Sequence, residues 1–103
     1  MTSREAELEA LSRAECERRG WVCIVVRAKG LHGKSQDLLG FIDMLAAPST
    51  PNTIAIQITS ASNMAARKKK VREHKNLPLA RALGWTVRVW AFRDDRTLRE
   101  ALI

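Results

Sequence analysis

Four side chains with hard oxygen donors stand where a fold could gather them: Glu15, Asp37, Asp43 and Gln57. Asp37 and Asp43 lie at the two ends of "DLLGFID", and Gln57 lies inside "IAIQITS". Carboxylate and amide oxygens suit Mg²⁺ or Mn²⁺, and Mg²⁺ in particular keeps several waters and takes one or two carboxylates together with substrate phosphate oxygens. A cation held in this way lowers the pKa of a bound water and stabilises charge that grows on a phosphoryl group. The chemistry to which the set points is metal-assisted phosphodiester hydrolysis. His32 and His74 have no partner at metal-binding spacing and receive no role.

The residues that must position this set read as one α/β domain covering residues 1–103. Thr2 or Ser3 caps a helix that runs without Gly or Pro to Gly20. Leu8, Leu11 and Glu15 fall at i, i+3 and i+7 on it, which turns Glu15 toward the sheet; the plain alternative is a salt bridge from Glu15 to Arg19 at i+4. "WVCIVVRA", residues 21–28, is β-branched and apolar on both faces, as a central strand is. "KGLHGKSQ" reads as a mobile loop carrying Lys34, and residues 37–46 read as a second strand with a bulge at Gly40.

"TIAIQITS" is the third strand. If it forms a hairpin with the second around residues 48–52, Asp43 falls opposite Gln57 at roughly 5 Å. Asp37 is then roughly 20 Å from Asp43 along a straight strand, and joins the same site only if the chain bends at Gly40. A basic helix follows over about 63–75, with Asn63, Arg67 and Lys70 as a stripe bordering the sheet and Lys68, Lys69, Arg72 and Lys75 turned outward. "PLARAL" is a short helix, residues 85–92 a fourth strand, and the tail "DDRTLREALI" a final helix. Three successive strands form a meander, and the fourth, reached through a helix, adds a crossover to a mixed four-stranded sheet flanked by helices.

Charge is uneven along the chain. Residues 1–20 carry four basic and five acidic side chains, and the remainder carries fourteen and six, so the excess of the +7 total lies past the first helix. Such a balance favours a polyanionic partner, and the outward lysines and arginines are placed to grip phosphates. No apolar run approaches the ~20 residues that cross a bilayer. With a charged N-terminus and two cysteines, Cys16 and Cys23, that read as small buried hydrophobes, the expected location is cytoplasmic.

Taken together, "DLLGFIDMLA" followed by "IAIQITSASNMAARKKKV" resembles the PD-(D/E)XK nuclease superfamily, in particular its small phage-type and Holliday-junction-resolvase-like members. The resemblance implies a restriction-endonuclease-like αβββαβ core over nearly the whole chain. It implies a metal held by Asp43, a side-chain oxygen of Gln57 and the carbonyl of Ile58, with Glu15 as a helix-one acid; Asp37, outside the resemblance, would hold a second ion or a water. Thr59 stands where that family's catalytic lysine is expected, and Lys70 or Arg67 would supply the cation instead. It further implies DNA as substrate, branched or otherwise structured, and a homodimer; the apolar Leu102 and Ile103 suit capping of the core first and a dimer surface second. Two alternatives stand beside this reading: a nuclease fold that holds DNA without cutting it, and a basic structural protein.

Overall fold

The computed structural model describes residues 3–26, 28–29 and 35–103. Helix α1, Ser3–Arg19, ends at Gly20, whose φ of 74° closes the helix in the left-handed region that glycine adopts at least cost. Strand β1, Val22–Val25, follows, and Ala28–Lys29 (β2) pairs antiparallel with Ser35–Gln36 (β3) in a small separate ladder. Lys34 and His32 lie outside the described residues. Then come β4, Met44–Ala47, and β5, Ile54–Ser60, and a short 3-10 turn, Ala61–Asn63, leads into α2, Met64–Arg72. Helix α3, Leu77–Ala82, and strands β6, Thr86–Phe92, and β7, Leu98–Leu102, complete the chain.

The main sheet has the order β1-β4-β5-β6-β7, with β5 and β6 parallel and every other neighbouring pair antiparallel. The meander and the helical crossover thus follow the αβββαβ order. The hairpin register is the expected one: Met44 faces Ile56 and Ala46 faces Ile54. The alternation of β5 separates two cores. Ile54, Ile56 and Ile58 pack with Leu8, Cys16, Trp90 and Phe92 beneath α1, whereas Ala55 packs with Val71, Leu77, Ala80, Val87 and Val89 beneath α2 and α3.

Three expectations are corrected. The tail is a strand, so the sheet has five strands rather than four. Its residues suit a helix, yet a helix this short is marginal alone, and pairing satisfies the otherwise open edge of β6. A tight turn sets that register: Arg96 takes φ of 70°, and the Asp95 carboxylate accepts both the backbone N–H and the hydroxyl of Thr97. Second, β1 is an edge strand rather than a central one, because β4 has β5 as its other neighbour; Val22 and Ile24 are exposed.

Third, residues 38–42 do not continue β4. Leu38 bridges Ile42 across a turn in which Leu39 and Gly40 have φ of 56° and 88°. Gly40 is required there for a second reason. A Cβ would come within 2.8 Å of His74 Nε2, and that ring is held by the Asn76 N–H on its Nδ1 and by Phe41 at 5.0 Å. Gly40→Ala is expected to cost about 2 kcal/mol and to lower the Tm by about 10 °C. An unchanged melting curve would show that the turn yields freely.

Candidate functional site

Asp43 and Gln57 meet as the register requires. The Asp43 N–H donates to the Ile56 carbonyl at 2.9 Å, which aligns the two strands just where β4 begins. Asp43 Oδ2 then accepts the Gln57 side-chain amide at 2.7 Å and the Ile58 N–H at 2.7 Å. Gln57 Nε2 is also 3.4 Å from the Ile58 carbonyl, and Gln57 Oε1 is buried with no hydrogen-bond partner. The amide therefore fills the gap between two oxygens with an N–H₂ group while its own oxygen goes unused. A half-turn of that amide points a third oxygen at the same spot.

This site does not lie on an open cleft floor. Asp43 is 1% exposed, Gln57 3% and Thr59 4%, so the polar side chains of β5 are enclosed on the α2 face. The bend at Gly40 makes Asp37 and Asp43 the residues just outside the Leu38–Ile42 bridge, and so brings their backbones close instead of leaving them at the ends of a straight strand.

Glu15 is not part of this site. Its carboxylate is bound by Arg18 and by Arg19 Nε at 2.6 Å, which is the i+4 ion pair. Hydrogen bonding from Arg18, joined by Arg19, holds the Glu15 carboxyl below its usual range against the opposing effect of burial. Arg19 continues to Glu100 on β7 at 3.3 Å and lies over the rings of Trp21 and Trp90 at 4.8 and 5.1 Å. Glu100 also accepts Arg88 Nη1 at 2.9 Å and Trp90 Nε1 at 2.6 Å. Burial pushes its pKa up, but the bonds from Arg88, Trp90 and Arg19 outweigh burial and leave it lowered. Trp90 belongs to the core beneath α1, so this network lies on the face of the sheet opposite Gln57. The pairing of Glu15 with Arg19 was legible at i+4; the Trp and Glu100 partners, which are distant in sequence, were not.

On α2 the inner face is Met64, Arg67, Lys68 and Val71, at i, i+3, i+4 and i+7. Lys68 is therefore half-buried rather than outward, and Lys70 is exposed rather than beside the sheet; Arg67 is half-buried as expected. Lys69, Arg72 and Lys75 are exposed. Asn63 is exposed at the start of the helix and donates to the Ser60 hydroxyl at 3.2 Å. Burial, with Cys23 as a neighbour, pushes the Cys16 thiol up to about 12, so it is a packing residue and not a nucleophile.

Among the described residues no group of three or more His, Cys, Asp or Glu side chains is arranged to hold a metal, and no helix is long and apolar enough to cross a membrane. The donors that do fit a hard cation are one carboxylate, one side-chain amide oxygen and one backbone carbonyl. Comparison with known proteins finds no family model, no curated protein and no solved structure that matches this chain.

Proposed function

We propose that the chain is a Mg²⁺- or Mn²⁺-dependent DNA endonuclease whose metal is held by Asp43, Gln57 and the Ile58 carbonyl. The observation that carries this reading is the orphaned Gln57 oxygen beside two oxygens that already share a single donor. A buried acceptor without a partner costs about 1–3 kcal/mol, and a half-turn of the amide would give that oxygen a cation as its partner. When bound, the ion supplies a more acidic water and an electrostatic partner for the phosphoryl oxygens.

The chain's own residues then divide the remaining work. Asp43 anchors the site, since its second role as acceptor of the Ile58 N–H fixes the carboxylate relative to the strand. The half-buried Arg67 is the cation closest in role to the family lysine. With the right-handed connection that nearly all parallel crossovers adopt, the Arg67 edge of α2 faces β4, and the Lys68 edge faces β6. The exposed Lys69, Lys70, Arg72 and Lys75 form a basic surface for a DNA backbone, and a homodimer would let so small a domain address two strands.

A second reading, a DNA-holding module that does not cut, is favoured by the two donors already on Asp43 Oδ2 and by the position of Glu15 on the other face. Purified protein with Mn²⁺ or Mg²⁺ and a panel of linear and branched DNAs separates the two. Hydrolysis is expected, lost in Asp43→Asn, together with a rise of about 4 °C or more in the Tm on addition of Mn²⁺. Salt-sensitive DNA binding with neither cleavage nor a Mn²⁺ shift establishes the module instead.

A further inference from the structure

At the carboxyl ends of β5 and β6, beyond the buried site, the surface holds a recess of about 430 Å³. Arg4 of α1, Ser60 at the end of β5 and Ser62 just past it, and Phe92 at the end of β6 with Arg93 and Asp94 just past it line the recess. The carboxyl ends of parallel strands are where open sheets of this kind bind ligands. Its chemistry is that of an anion site. Arginines approach from two separate elements, and the Ser60 and Ser62 hydroxyls lie 3.2 Å apart. The Phe92 ring is 3% exposed and offers no face for stacking. A multi-oxygen anion that can accept from several directions, such as a phosphodiester, matches that set.

The two arginines differ in availability. Arg4 is 3.4 Å from Glu7 and 3.8 Å from Asp94, whose side chain is fully exposed at the rim. Arg93 has no carboxylate within ion-pair distance among the described residues, and its charge is shared only at longer range with the Asp95 carboxylate, which the Thr97 hydrogen bonds, helped by Arg93, hold below the usual range. Ser60 lies three residues beyond Gln57 on the same strand, roughly 10 Å away, and that odd step turns it to the face of Ile58, opposite Gln57.

We propose that this recess seats a backbone phosphate of a DNA strand, at the carboxyl edge of the sheet on the side of α1. That the phosphate belongs to DNA rests on the function proposed above; the seat itself does not depend on hydrolysis at Asp43 and Gln57. The test uses the full chain and a fluorescein-labelled 12-nucleotide single strand in EDTA, so that binding is read without cleavage. Arg93→Gln is expected to weaken binding about tenfold and to make the log–log salt slope shallower by about one. Asp94→Asn, which removes a competing carboxylate, is expected to strengthen binding about threefold. Millimolar inorganic phosphate should compete with the wild type more strongly than with Arg93→Gln. An unchanged affinity and slope in Arg93→Gln overturns the seat, as does a wild type that binds no oligonucleotide. If binding shows this pattern while Mg²⁺ or Mn²⁺ produces no cleavage, the hydrolytic reading fails and the phosphate seat stands.

Discussion

Asp43→Ala is expected to lower the stability of the fold by about 3 kcal/mol, because it strands two buried donors at once. The Ile58 N–H and the Gln57 amide both end on Asp43 Oδ2, and Asp43 and Gln57 are 1% and 3% exposed, so water cannot replace the lost acceptor. Each unsatisfied donor costs about 1–3 kcal/mol. For a domain of this size the loss corresponds to a fall of about 15 °C in Tm. Asp43→Asn keeps one oxygen in place and should cost about half as much. The check is urea denaturation, in which the midpoint should fall in the order wild type, Asn, Ala with the m-value unchanged. A midpoint for Ala equal to that of the wild type would mean that the carboxylate is not what joins β4 to β5 at this end. The same comparison bears on function: a residue kept only for stability loses activity in proportion to unfolding. A metal ligand, by contrast, loses the Mn²⁺ shift even in Asn protein that remains folded.

The part of this arrangement that was legible in the sequence is the part governed by local periodicity. Alternation in "IAIQITS" assigns Gln57 and Thr59 to one face, and the 48–52 turn sets the register, so the meeting of Asp43 with Gln57 followed from counting. Counting cannot reveal what covers a face. That Gln57 and Thr59 are enclosed rather than open depends on α2 packing over β5, a contact between distant segments. Glu15 shows the other limit. Its stripe on α1 correctly turned it toward the sheet, but a sheet has two sides, and the one beneath α1 is not the one that holds Asp43. The tail failed for a thermodynamic reason. "TLREAL" favours a helix locally, and its state is decided by the vacant edge of β6, which no window of sequence contains.

Trp90→Ala is expected to be the most destabilising single truncation on the α1 face, at about 4 kcal/mol. Trp90 is fully buried on β6 between β5 and β7, stacks on Trp21 with ring centroids 6.1 Å apart, and donates its indole N–H to Glu100. Removing a buried tryptophan leaves a cavity worth about 3–5 kcal/mol, a large part of the about 5–15 kcal/mol that holds a domain of this size together. Trp90→Phe retains most of the apolar volume but not the bond to Glu100, and should cost about 2 kcal/mol. Far-UV circular dichroism in guanidinium measures both without relying on tryptophan emission. Asp43 and Trp90 sit two strands apart, roughly 10 Å, with their side chains on opposite faces. The double variant Asp43→Asn, Trp90→Phe should therefore lose the sum of the single losses to within about 0.5 kcal/mol. A coupling of 1 kcal/mol or more would show that the aromatic cluster shapes the Asp43 site through β5, and the two faces could no longer be treated as independent.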